Sequence, residues 1–206
     1  MNTADFIQQF PLRSYEKGQA ILSEGETSDA VLFIETGYVK VTSLGNSGSE
    51  HMLWIASEED IIPSEHLFSL NNSLRYFYAA LSSVTVRVVD KASLLRTARS
   101  SVELMTMLAA GLSDNYDDLL LRIDAIDQPT IHDRLATTLE YLALRFGGGK
   151  TVDLHQIGLP LTHQDIAEMI GSTRETTSLE LERLRSSGAL DYNRSRFVIH
   201  PEKLAP

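Results

Sequence analysis

The segment Leu161–Leu190, LTHQDIAEMIGSTRETTSLELERLRSSGAL, carries two helix-start signals eleven positions apart, and that spacing leaves little freedom in how it folds. Thr162 followed three residues later by Asp165 has capping-box spacing, in which a hydroxyl and a carboxylate each satisfy an orphan backbone N–H of the first turn. A helix from there runs through Ile170 and meets Gly171, which supplies the turn. Thr173 is placed to cap a second helix ending at Gly188. ALDY and RFVIH then flank Asn193-Arg194-Ser195, a hairpin turn. Helix, tight turn, helix and hairpin in this order predict a winged helix-turn-helix.

Upstream, the pattern differs. From about Phe10 to Val89 the chain reads as short strands, AILSEG, AVLFIETGYVKVTS, HMLWIA, YFYAAL and TVRVVD, separated by Gly, Asn and Ser turns with Gly18, Gly25, Gly37 and Gly45 at the corners. This predicts an all-β sandwich or barrel. After Asp90 the period changes to that of a helix. Met105, Ala109, Leu112, Tyr116, Leu119, Ile123 and Ile126 recur at alternating spacings of four and three, a heptad seam that runs about 32 Å at ~1.5 Å per residue. The expected opposite, solvent-facing side carries Asp114, Asp117, Asp118, Arg122 and Asp124. Such a stripe predicts pairing of two chains, with packing on its own domain as the alternative. Asp127-Gln128-Pro129-Thr130 stops the helix and offers a new cap, and is the expected hinge. Ile131–Phe146 form another amphipathic helix ended by Gly147-Gly148-Gly149, and TVDL is a short strand. The fold class expected is therefore α+β: a β domain over 1–100, a dimerisation helix over 101–127, and a winged helix-turn-helix over 128–206.

Composition narrows the function classes. With 43% hydrophobic and 22% charged residues the chain is an ordinary globular protein. No apolar run reaches the ~18 residues of a membrane span, and MNTADFIQQF lacks a signal-peptide pattern, so a cytoplasmic protein without membrane contact is expected. The absence of Cys excludes disulfides, thiolate zinc sites and cysteine redox switches. No Walker loop, GxSxG elbow or metal motif is present, and scattered carboxylates read as solvated surface, so no catalytic residue and no enzyme is expected. The net charge is −10, but unevenly spread: residues 1–127 hold 9 basic against 18 acidic side chains, residues 128–206 hold 9 against 10. Between Gly171 and His200, Arg174, Arg183, Arg185, Arg194 and Arg196 face only Glu175, Glu180, Glu182 and Asp191. A polyanion is thus expected at the carboxy-terminal part, if anywhere.

YEKGQAILSEGETSDAVLFIETGYVKV, with Gly-Gln, Gly-Glu, Asp and Gly-x-Val-Lys-Val signposts in order, resembles the opening of the double-stranded β-helix, or β-roll, of the cyclic-nucleotide-binding-like Crp/Fnr transcription regulators. LTHQDIAEMIGSTRETTSLELERLRSSGAL resembles that family's helix-turn-helix. The resemblance covers nearly the whole chain and implies a homodimer on double-stranded DNA with a roughly palindromic site, in contact with RNA polymerase if it activates. It implies that Arg174 and Glu175 read bases: a guanidinium bonds guanine O6 and N7 and a carboxylate accepts from cytosine N4. Thr177 and Ser178 are further groove candidates. Thr162, Gln164, Thr173 and Thr176 stand at the family's phosphate-contacting positions, and Asn193, Arg194 and Arg196 lie in the wing. Leu179 occupies the place of the family's frequent second base-reading Arg, which predicts an altered half-site.

The effector site departs from the family pattern. Ser64-Glu65 stands for Gly-Glu, Arg75-Tyr76 for Arg-Ser or Arg-Thr, and Leu119-Leu120 for Thr-Ser, so cyclic AMP is not the expected effector. Arg75 either neutralises an anionic effector or is a surface arginine. Trp54, Tyr76, Phe77 and Tyr78 with Leu119, Leu120 and Ile123 either line an apolar pocket, to which Glu65 would also belong, or are core. No cofactor is implied beyond one alternative drawn from gas-sensing relatives, haem on His66 or His51. The six histidines show no metal-ligand spacing. A ligand-binding module whose winged helix serves protein contacts is the competing function.

Overall fold

The structure, a computed structural model, describes residues 3–45, 48–69, 72–147, 155–193 and 196–204. Its elements in chain order are α1 (Thr3–Gln8), β1 (Leu12–Tyr15), β2 (Ala20–Leu22), β3 (Ala30–Thr36), β4 (Val39–Leu44), β5 (Glu50–Ala56), β6 (Ile61–Ile62), β7 (Phe77–Ala80), β8 (Val84–Asp90), α2 (Lys91–Ser100), α3 (Val102–Asp127), α4 (Ile131–Phe146), β9 (His155–Ile157), α5 (His163–Ile170), α6 (Arg174–Ser186), β10 (Leu190–Asn193) and β11 (Arg196–Ile199). Two compact units result, Met1–Ser49 with Leu53–Asp118, and Glu50–Met52 with Leu119–Pro206.

The first unit is built on two four-stranded sheets, ordered β1-β8-β3-β6 and β2-β7-β4-β5. Alternation along β8 and β3 explains their packing, because residues at i and i+2 share a face. Their antiparallel register sets Leu32 opposite Val88 and Ile34 opposite Val86. Leu32, Ile34 and Val86 turn inward to a core with Val39, Val41, Trp54, Ile62 and Tyr78. Val31 and Val89, which lie on the other face, join Phe6, Leu94, Leu104 and Leu108 in a second cluster. The β3–β4 corner requires glycine: Gly37 has φ +90°, and a Cβ there would lie 2.2 Å from the Ser83 carbonyl oxygen. Asp90 ends β8 and caps α2, its side chain accepting from the Ser93 N–H at 2.8 Å; the Ser93 side chain, and then this N–H, hold its carboxyl below the usual range.

Helix α3 departs from its expected two-sided pattern. Leu104, Leu108 and Ala125 are buried, but so are Asn115, Asp118 and Arg122, with Arg122 only 2% exposed. Asp118 and Arg122, expected on the solvent side, therefore sit inside. An amphipathic pattern marks polar residues as outward, whereas a long guanidinium can enter a core when carbonyls receive it. Tyr116, Leu119, Ile123 and Ile126 are exposed, at 62%, 42%, 63% and 47%. Met105 and Leu112 pack in part against the second cluster of their own unit, and Ala109 is exposed.

In the second unit, α3 stops at Asp127 and Thr130 caps α4, its hydroxyl accepting from the Asp133 N–H at 3.1 Å. A three-stranded antiparallel sheet orders β10-β11-β9. The expected strand TVDL and most of the Gly147-Gly148-Gly149 turn lie outside the described residues, and the strand found is β9 at His155–Ile157. Leu135, Leu139 and Leu142 of α4, Ile166 and Ile170 of α5, Leu181 and Leu184 of α6, and Phe197 and Ile199 of β11 are buried. Arg122 belongs to this unit: its Nη2 donates to the Met169 carbonyl at 2.6 Å, its Nη1 reaches Thr138 Oγ1 at 3.4 Å, and its guanidinium lies 5.9 Å from the Tyr141 ring centre. Burial lowers the guanidinium pKa from its ordinary value.

Candidate nucleic-acid interface

Both helix starts form as the spacing requires. Thr162 Oγ1 accepts from the Asp165 N–H at 3.1 Å while Asp165 Oδ2 accepts from the Thr162 N–H at 2.9 Å, a complete capping box. Gly171 ends α5 in the left-handed region at φ 63°, a conformation open to glycine at no steric cost. Thr173 caps α6 by accepting from the Thr176 N–H at 3.2 Å. The first-turn N–H groups of both helices, with their positive dipole ends, thus flank one recess of about 540 Å³ lined by Thr162, His163, Gln164 and Arg174.

The candidate base-reading residues separate by burial. Arg174 and Glu175 are exposed in the first turn of α6. Ser178 is half-buried and Leu179, 67% exposed, stands beside it. Thr177 is the correction: it is wholly buried and its hydroxyl donates to the Thr173 carbonyl at 2.8 Å, so it presents nothing to a groove. Its position falls on the same helix face as Glu180, Leu181 and Leu184, which all pack inward.

Candidate phosphate contacts are partly engaged within the chain. Thr162 Oγ1 also donates to Asp165 Oδ2 at 2.6 Å, Gln164 Nε2 donates to Glu168 Oε1 at 3.0 Å, and the Thr173 and Thr176 hydroxyls share a bond of 3.0 Å. Asn193 and Arg196 are exposed at the ends of β10 and β11, while Arg194 lies outside the described residues. Two of the three carboxylates of α6 are drawn aside: Glu180, 8% exposed, accepts from Arg183 Nη1 at 2.9 Å and meets His132 Nδ1 at 2.8 Å, and Glu182 lies 3.7 Å from Arg185 Nη1. That leaves Arg174 as the cation at the mouth of the recess.

The sequence does not single out His163. It is the first residue of α5, between two candidate phosphate positions, and that placement was its only signal. Its Nδ1 lies 2.9 Å from Ser178 Oγ, and its ring meets the Tyr192 ring edge-on at 5.5 Å. Burial, then the charge of Arg174, lowers its pKa below the ordinary histidine value.

Of the effector candidates in the first unit, the aromatic Trp54, Tyr76 and Tyr78 pack with the core, whereas Glu65 and Arg75 are exposed. Trp54 and Tyr78 are buried in the inter-sheet cluster and Tyr76 packs against it. Tyr78 donates to Glu65 Oε1 at 2.6 Å, and burial drives its pKa far up. Arg75 is exposed, and Leu120 is 47% exposed on α3. His66 is buried with Nε2 3.8 Å from Glu65 Oε1, and His51 is exposed. Among the described residues no group of three or more His, Asp or Glu is placed to hold a metal, and no helix is long and apolar enough to cross a membrane.

Comparison with known proteins finds two domain families in the chain. Residues 12–101 match the cyclic nucleotide-binding domain and residues 133–205 the Crp-like helix-turn-helix domain. The chain is 32% identical over 178 residues to the regulatory protein CysR of Synechococcus elongatus, covering 84% of this chain and 78% of that one. It is 26% identical over 194 residues to the global nitrogen regulator of a Nostoc species, covering 92% and 85%. The structure of FixK2 from Bradyrhizobium japonicum superposes with a TM-score of 0.78 at 23% identity, covering 95% of each chain, which shows the shared fold. Both domains in order, and a relative 32% identical over most of its length, place this protein in the Crp/Fnr family of DNA-binding transcription regulators.

Proposed function

We propose that the protein is a cytoplasmic homodimer that binds a roughly palindromic DNA site, with α6 of each chain in the major groove, two grooves about 34 Å apart. The carrying observation is the exposed Arg174-Glu175 pair at the capped start of α6, beside the recess formed by the two helix N-termini. Glu175 accepts from cytosine N4 and Arg174 bonds the guanine edge. Thr162, Gln164, Thr173, Thr176, Asn193, Arg194 and Arg196 contact phosphates, some after exchanging their present internal bonds. The exposed Tyr116, Leu119, Ile123 and Ile126 of α3 favour pairing, since that much apolar surface is costly to leave in water. The division of labour is a sensor over 1–100, a dimer helix over 101–127 and a DNA-binding domain over 128–206, with RNA polymerase as the further partner of an activator. Cyclic AMP is not its effector in this reading, because none of the residue pairs that would hold ribose, phosphate or adenine is intact.

Selection of bound DNA from a random pool tests this. An enriched site with two-fold symmetry is expected. Arg174→Ala should weaken binding to that site by about 5- to 150-fold, the equivalent of 1–3 kcal/mol for a bidentate base contact, with the dimer intact. No enrichment, or unchanged binding by the variant, refutes the assignment.

A further inference from the structure

We propose that His163 is a specificity-determining positioning residue: through Nδ1 it sets whether the Ser178 hydroxyl offers its proton or its lone pairs to the base edge opposite it. This rests on α6 occupying the major groove. Ser178 is the half-buried residue one turn beyond Arg174, and it is bonded to another helix rather than free to turn. A serine hydroxyl has one proton and two lone pairs. When the His163 proton is on Nε2, Nδ1 accepts the Ser178 O–H, and only lone pairs remain for the groove. These suit the donors of a major-groove edge, adenine N6 or cytosine N4. When Nδ1 carries a proton, it donates to Ser178 Oγ and frees the O–H for guanine O6 or N7, adenine N7 or thymine O4.

The ring is held for this task. Its edge-on neighbour Tyr192 is stacked on Phe197 at 5.5 Å, donates to Glu182 Oε2 at 3.3 Å, and has the Arg185 guanidinium 5.4 Å from its ring centre. Among the described residues, the charged and titratable groups that face His163 are Arg174 from α6 and Tyr192 from β10, the latter engaged by Glu182 and Arg185, with Asp165 and Glu168 on its own helix. Asp165 is occupied by the capping box and Glu168 by Gln164. The positive charge of Arg174 opposes protonation of His163, as does the positive end of α5. In the free protein His163 is therefore neutral at neutral pH; with Nδ1 engaged by Ser178, Nε2 is the ring nitrogen left to donate to a phosphate in the recess, which favours the tautomer with the proton there. The base opposite Ser178 should accordingly be adenine or cytosine by preference.

The test is a double-mutant cycle on the full-length protein, using the site selected by the wild type and its single-base changes. Ser178→Ala and His163→Phe should each reduce discrimination at one and the same half-site position by about fivefold, the value of one net hydrogen bond of ~1 kcal/mol, and the double variant should lose no more than either. Phe keeps a ring against Tyr192, and His163→Asn, which puts an amide near the place of Nδ1, should restore part of the discrimination and serves where Phe disturbs folding. Wild-type preference at that position should move toward guanine or thymine as the pH falls from 8 to 5.5, and should not move in Ser178→Ala. Equal losses for every DNA sequence, or losses from the two single variants that add, would make His163 a phosphate contact only and overturn the proposal. Failure of the wild type to enrich any sequence overturns the groove assignment and this inference together. Enrichment with an unchanged His163→Phe preference overturns this inference alone.

Discussion

Arg122 gives the most quantitative expectation. Its guanidinium is inside the second unit, 2.6 Å from the Met169 carbonyl in the last turn of α5, one residue before Ile170 and the Gly171 turn that sets α6. Replacing it by Met keeps most of the buried stem and removes the charged donor. A hydrogen bond from a charged group contributes about 1.5–3 kcal/mol. The longer approaches to Thr138 Oγ1 and to the Met52 carbonyl, each at 3.4 Å, add little. Against this stands the cost of desolvating the cation, which the variant recovers in part. The net expected for Arg122→Met is a loss of about 2 kcal/mol. Arg122→Ala also deletes two buried methylenes, Cγ and Cδ, at ~0.8 kcal/mol each, for a total of about 4 kcal/mol. At about 2–4 °C per kcal/mol for a chain of this size, calorimetry should show midpoints lower by about 4–8 °C and 8–16 °C. Because the lost bond anchors the end of α5, DNA affinity should fall in Arg122→Met even well below its midpoint. Equal or greater stability of Arg122→Met would refute the reasoning, since it would mean that desolvation outweighs the carbonyl bond.

Two further expectations follow from groups at opposite extremes of burial. Leu119→Asp with Ile123→Asp should convert the protein to monomers by sedimentation or light scattering, without loss of helix content, because both side chains are exposed within one chain; persistent dimers would place the interface elsewhere. Tyr78, buried and with its pKa driven up, keeps its proton in alkali while the unfolded chain releases one above about pH 10. The folded state then binds more protons than the unfolded state, so stability should fall with rising pH, by up to about 1.4 kcal/mol per pH unit from this group. Tyr78→Phe should flatten that alkaline limb in urea unfolding at pH 9–11, and an unchanged slope would refute the assignment.

The legible parts of the molecule are those set by local rules. Thr162-Asp165, Gly171 and Thr173 fixed the two helices and their turn because caps and left-handed glycines act within a few residues. The glycine corners and period-two strands of the β domain were legible for the same reason. The shared face of Tyr116, Leu119, Ile123 and Ile126, which are exposed on α3, followed from a helical period. Exposed Arg174 and Glu175 followed from their place in the first turn. What tertiary structure alone decided were the polar groups whose partners are distant in the chain. Arg122 looked like a solvated helix residue until Met169, 47 positions later, supplied a carbonyl. Thr177 looked like a groove residue until the packing of α6 turned its face inward. Trp54 and Tyr78 were open to either pocket or core until two sheets closed over them. His163 acquired a role only when the fold brought Ser178, 15 positions away, to its Nδ1. Sequence determines a hydrogen bond between near neighbours because the helix sets their separation; between distant residues the separation exists only once the chain has packed.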